Sequence, residues 1–240
     1  MEIDVQSLRK TALVAGVLFV ITFVASIPAV LLYGPVLSDP TYVIGPGADG
    51  RVALGALLEA ITVIANVGTA VVLFPILRRQ DEAIALGYVA ARLIEGTFIV
   101  VGIVSLLAVV TLRQDLAGSV GVDKAALVTA GRSLVAVHDW TFLFGPGFLG
   151  AGFGNGILLG YLMYRSNLVP RGMALLGLVG GPLVCLSAVA VLFGVIDAGS
   201  TWQGIATIPE ILWEASLGLY LIFWGFRPSP ITAGMTELSG

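Results

Sequence analysis

The stretch "GYVAARLIEGTFIVVG", Gly87 to Gly102, places an arginine and a glutamate three residues apart in an otherwise apolar run. That run extends from residue 84 to residue 111, and Arg92 and Glu95 are the charges inside it. Its length is a membrane-span signal, because about 20 apolar residues rising 1.5 Å each cross the hydrocarbon core. A charge near the bilayer centre costs about 2.5–3.5 kcal/mol even on the lenient insertion scale. The segment therefore predicts a helix whose polar face meets other polar faces inside a bundle, with its apolar faces turned to lipid.

The rest of the chain carries the same signature. Of 240 residues, 58% are hydrophobic and 11% charged, with a mean hydropathy of +1.01. Soluble domains carry about 25% charged residues, so the composition excludes an ordinary water-soluble globule. Six apolar runs emerge, at about 11–33, 52–77, 84–111, 136–164, 171–194 and 204–226. The first is longer than a signal-peptide core, and its one near-match to a cleavage site, Val24-Ala25-Ser26, lies deep within it, so it reads as a retained span. The expected fold is all-α: a polytopic transmembrane bundle of six spans, forming one domain over residues 1–240.

Residues 124–147 are the ambiguous part. Asp123 suits an N-cap for a helix through "KAALVTAGRSLVAV". That helix, about 124–136, either projects on the outer side and continues into span four, or breaks at Gly145-Pro146-Gly147. A turn there would make a seventh span and reverse the loops that follow. The six-span reading is preferred.

Basic residues set the orientation. With the N-terminus inside, the inner segments hold Arg9, Lys10, Arg78, Arg79, Arg165, Arg171 and Arg227, against Arg51, Arg113, Lys124 and Arg132 outside. Seven against four predicts both termini in the cytoplasm. Tyr161, Tyr164 and Trp224 then lie at the inner interface, and Trp140 and Trp202 at the outer one, as aromatic belts require.

Several chemistries are excluded cheaply. A net charge of −3 without a basic patch offers nucleic acid nothing, and one cysteine, Cys185, permits neither an intrachain disulfide nor a CxxC motif. No span holds a lysine for a retinal Schiff base, and His138, the single histidine, cannot supply bis-His haem ligation. "GPGFLG" (145–150) matches the dinucleotide fingerprint but has no strand before it and no βαβ unit around it. Neither Glu-x-x-His nor His-x-x-x-His spacing occurs. No cofactor and no metal are assigned. The glycines at 152, 156 and 160 instead form the small-xxx-small pattern of closely packed membrane helices, and Pro146 and Pro182 are candidate kinks.

The polar residues within the spans fall into stripes. Glu59, Thr62, Asn66 and Thr69 share one helix face of span two, and Tyr88, Arg92 and Glu95 one face of span three. Arg132 and Asp139 are seven apart entering span four, with His138 beside them, and Gln203, Thr207, Glu210 and Glu214 line span six. Depths counted along the helices gather the acids in the outer half and midplane. The expected site is an outward-facing polar pocket built from Glu59, Asn66, Arg92, Glu95, Arg132, His138, Asp139, Glu210 and Glu214. Five carboxylates there face two guanidiniums and one histidine. Isolated buried carboxylates are prohibitive, so that excess must be protonated, paired or bound to a cation.

"GALLEAI" (55–61), "LRRQDEAIALGYVAARLIEG" (77–96), "HDW" (138–140), "YRSNLVPRGMALLGLVG" (164–180) and "GFRPSP" (225–230) resemble a bacterial family of uncharacterised integral membrane proteins, a domain of unknown function. The resemblance spans nearly the whole chain. It implies a multi-span protein of the bacterial plasma membrane and carries no activity with it. On that pattern Glu59, Arg92, Glu95, Asp139, Trp140 and Glu214 match, while Glu210 departs from an apolar position.

Three readings stay open. One is a binder or transporter of a proton, cation or cationic small molecule. Another is an intramembrane enzyme acting on a lipid or isoprenoid, which needs a lateral opening and an acid–base group. The third is a structural or regulatory subunit held together by its polar contacts. The lipid bilayer and a small cation or small molecule are the expected partners, and oligomeric state is not legible.

Overall fold

The computed structural model describes residues 5–116 and 123–233. Those residues form six helices, each long and apolar enough to cross a membrane, and no strand occurs among them. They are α1 (Val5–Ser38), α2 (Asp49–Leu77), α3 (Glu82–Leu116), α4 (Lys124–Ser166), α5 (Arg171–Leu192) and α6 (Thr201–Phe223).

Each helix packs on its neighbours in sequence, and α6 returns to α1, so the six close into a ring. Successive helices run antiparallel. One end of the ring, the near end, gathers the start of α1, the α2–α3 and α4–α5 loops and the segment after α6. The far end holds the α1–α2 connection, the start of α4 and the α5–α6 loop.

Helix association in lipid rests on van der Waals packing rather than on water exclusion, and the near end supplies it. Phe19, Leu73, Tyr88, Leu159, Met163, Trp213 and Leu217 are all buried there in one cluster. Arg9 secures the end of α6, donating to the carbonyls of Leu221 at 3.0 Å and Ile222 at 2.6 Å, which as terminal carbonyls lack helical partners. At the far end a 3₁₀ turn, Tyr42–Ile44, tucks Tyr42 and Val43 under the α1–α2 connection. Asp49 ties that connection to α3: it accepts from Arg113 Nε at 2.8 Å, from Gln114 Nε2 at 2.9 Å and from the Tyr42 hydroxyl at 3.0 Å. Burial raises the Tyr42 pKa, which keeps that hydroxyl a donor.

The start of α4 forms as the sequence predicts, with the Asp123 side chain accepting from the backbone amides of Ala125 and Ala126. The helix does not turn at Gly145-Pro146-Gly147, so the described residues form no seventh span. It widens instead, and residues Leu143–Leu159 wind as a π-helix. Two features of the sequence favour this local form. Pro146 has no N–H to give to an α-type bond, and six glycines in the segment lower the cost of unusual dihedrals. The helix ends on Asn167 in the left-handed conformation, φ 57°, before Pro170.

Candidate functional site

Inside the ring a cavity of about 460 Å³ is lined by every helix except α5. Its polar wall comes from α2, α3, α4 and α6, and its apolar wall chiefly from α1 with Ile99, Phe142 and Ile211. That volume falls within the roughly 300–1,000 Å³ typical of small-molecule sites.

Five of the nine residues expected at the site meet at this cavity, Glu59, Asn66, Arg92, Glu95 and Glu214, together with Thr62 and Thr207 of the same stripes. Arg92 and Glu95 lie on one face of α3 as the i,i+3 spacing requires. Arg92 Nη1 stands 2.8 Å from Glu95 Oε2, but off-line for a hydrogen bond, so that oxygen has an ion contact and no hydrogen-bond partner. The other oxygen, Oε1, accepts from Asn66 Nδ2 at 3.1 Å. Both side chains are almost fully buried, and Gly150 makes room for them, since a Cβ there would run into the Glu95 carboxylate.

Glu214, on α6, is held from α4. Asn155 Nδ2 donates to Glu214 Oε1 at 2.5 Å, and Asn155 Oδ1 accepts from the Tyr88 hydroxyl at 3.1 Å. Trp213 Nε1 donates to the Asn155 backbone carbonyl at 3.0 Å, and so fixes α6 against the π-segment. The third acid, Glu59, accepts from the Tyr33 hydroxyl at 2.9 Å. The stripes point to neither Asn155 nor Tyr33. Asn155 is a carboxamide in the middle of a glycine-rich apolar run, which is itself a signal. Tyr33 ends the apolar run of span one and reads in the sequence as a span boundary.

Glu210 sits outside the cavity. At about 100° per residue it lies roughly 60° around α6 from Thr207, far enough to turn it into the α4–α5 groove. There its carboxylate faces Gly156 and Gly180, where any Cβ would press on it. Neither of its oxygens has a hydrogen-bond partner among the described residues, although it is 1% exposed. The glycine spacing of α4 is thus explained by α5: Gly152 faces Cys185, Gly156 faces Gly181, and Gly160 lies against Gly177 and Leu178.

The far-end residues separate from the rest. Arg132 and Asp139 line a different pocket beside Asp39 and Tyr42, and both are exposed. His138, about 100° around α4 from Asp139, is buried at 6% exposure and borders a small gap that Glu59 also borders. Its Nδ1 lies 3.5 Å from Asp139 Oδ1, and its ring packs edge-on to Tyr33 with centroids 5.7 Å apart. A chain of titratable groups thus runs from exposed Asp139 through His138 to Glu59 and the cavity.

Glu59, Glu95 and Glu214 thus share the cavity lining with one buried guanidinium, that of Arg92, while Glu210 lies outside it. Among the described residues no three His, Cys, Asp or Glu side chains converge as a metal's ligands would.

The class is that of a multi-pass helical membrane protein. Residues 14–225 match the family described as a domain of unknown function (DUF4386), and the chain belongs to that family. No curated protein and no solved structure matches it.

Proposed function

We propose that the protein is a multi-pass protein of the bacterial plasma membrane that binds, and exchanges against protons, a cation or cationic small molecule. Both termini face the cytoplasm in this reading, on the seven-to-four bias of basic residues toward the near end. The cavity then lies in the outer half and midplane of the bilayer.

One observation carries the proposal: Glu59, Glu95 and Glu214 surround a single cavity in which Arg92 is the lone guanidinium. In a low-dielectric interior that surplus of carboxylates must be met by protons or by a cation. Protons fill the role in the empty state, and a bound cation displaces them. Glu214 is the acid best placed to exchange, being half-buried and hydrogen-bonded through only one oxygen. Asp139, His138 and Glu59 give protons a way in from the far end.

The test is proton release from liposomes loaded with a pH-sensitive dye, on adding tetramethylammonium or a primary amine to the purified, reconstituted protein. Wild-type protein is expected to release protons saturably, and Glu214→Gln to lower that release at least tenfold. Equal release by wild type, Glu214→Gln and protein-free liposomes would sink the proposal.

A further inference from the structure

The seam between α1 and α6 is shut at the near end. A Cβ on Gly16 would meet the Gly218 carbonyl at 2.7 Å, so the two backbones touch there. Ile27 lies eleven residues on from Gly16, three turns, and within about 20° of the same face of α1. Ile211 lies seven residues before Gly218, two turns, and again within about 20° of the same face of α6. Continued contact would bury both. Instead Ile27 is 55% exposed and Ile211 48% exposed, and both line the cavity. The helices therefore diverge from the Gly16–Gly218 crossing, and roughly 10–16 Å further along the seam opens on the cavity.

These two positions lie well inside apolar spans, so the opening faces the hydrocarbon of the bilayer rather than water. Its lip is apolar, formed by Ile27, Leu31 and Ile211, and behind it stand Phe23, Ile99 and Phe142. Glu59 and Glu95 lie across the cavity on α2 and α3, and Glu214 one turn further along α6 from Ile211. A molecule that matches both surfaces has an apolar body and a cationic head. Arg92 is already engaged with Glu95 and with the Asn66 carbonyl, so no free guanidinium waits for a phosphate.

We propose that the α1–α6 seam is a lateral port, and that the cavity's ligand is an amphiphilic ammonium compound that reaches the acids from the bilayer. This rests on the cation-binding reading of the same cavity and narrows its ligand. The ammonium belongs either to a free amphiphile or to a resident amino-lipid headgroup.

The experiment is equilibrium binding of tetramethylammonium and octyltrimethylammonium, below micellar concentration, to the protein in phosphatidylglycerol nanodiscs, with empty nanodiscs subtracted. Burial of the tail predicts a gain of roughly fourfold per methylene that reaches the cavity. In Ile27→Trp/Ile211→Trp, which fills the seam, the ratio of the two affinities is expected to fall at least tenfold. Loss of octyltrimethylammonium binding in phosphatidylethanolamine nanodiscs would identify a lipid headgroup as the resident occupant, using the same port. Wild-type affinities indifferent to the tail would overturn the port, and that comparison needs no variant to fold. An unchanged ratio in a folded tryptophan variant would overturn it too. No binding of either cation to wild type would instead overturn the underlying cation site.

Discussion

Arg92 and Glu95 meet one turn apart on α3, with Nη1 and Oε2 2.8 Å apart, and Asn66 of α2 takes the carboxylate's other oxygen at 3.1 Å. The pair neutralises itself within one helix and hydrogen-bonds to the next, which is how an apolar span tolerates it. Breaking such a pair from one side leaves a buried, uncompensated charge, at a cost of about 3–5 kcal/mol, whereas removing both partners is far milder. Arg92→Leu is therefore expected to lower thermal stability in detergent much more than Glu95→Gln. Arg92→Leu/Glu95→Gln should recover most of the loss. Additive single and double effects in that cycle would show that the two side chains do not act as a pair.

Gly150 separates two effects that sequence alone merges. A methyl there would collide with the Glu95 carboxylate, while a methyl on Gly147 would meet only the Phe142 carbonyl at 3.6 Å. Overpacking costs about 1–3 kcal/mol, and alanine otherwise favours a helix over glycine by up to about 1 kcal/mol. Gly150→Ala is thus expected to destabilise and to weaken cation binding, and Gly147→Ala to leave both nearly unchanged. Melting curves of the two variants side by side check this.

Much of this arrangement is legible in the sequence, for identifiable reasons. Span number and length follow from the apolar runs, and the stripes on α2 and α3 follow from a regular 3.6-residue period. The stripes tell which way a side chain points but not what stands opposite. Asp139 and Arg132 are therefore expected in the shared interior, and lie instead at the far-end surface. In α4 the period itself changes: each turn of the π-segment Leu143–Leu159 takes more residues than an α-turn. No α-helical spacing can then carry a face from Asp139 to Asn155. Glu210 departs for a different reason, because a stripe roughly 60° wide straddles two neighbours.

The far-end clasp makes its own prediction. Asp49 is the shared acceptor for Arg113, Gln114 and Tyr42, and both members of the Asp49–Arg113 pair are more than four-fifths buried at their side chains. Hydrogen bonds to charged groups contribute about 1.5–3 kcal/mol each. Asp49→Asn should lower the melting temperature and expose the α1–α2 connection to limited proteolysis. The cation affinity of the cavity should hold, since Asp49 does not line it. Cleavage at the same rate in both proteins would show that the clasp does not hold that connection.

His138 gives the sharpest separation of rate from affinity. It is buried, touches Asp139 through Nδ1 at 3.5 Å, and shares a gap with Glu59, yet it does not line the main cavity. A group placed there alters how fast protons reach Glu59 without altering the equilibrium between proton and cation. Glutamine keeps the polarity of imidazole but cannot carry a proton between its two ends. In stopped-flow mixing of dye-loaded proteoliposomes, His138→Gln should slow cation-driven proton release at least tenfold, with affinity within about twofold of wild type. Asp139→Asn should do much less, because Asp139 is open to water that can replace it. Equal rates in wild type and His138→Gln would remove His138 from the proton route and leave Glu214 to exchange directly through the cavity.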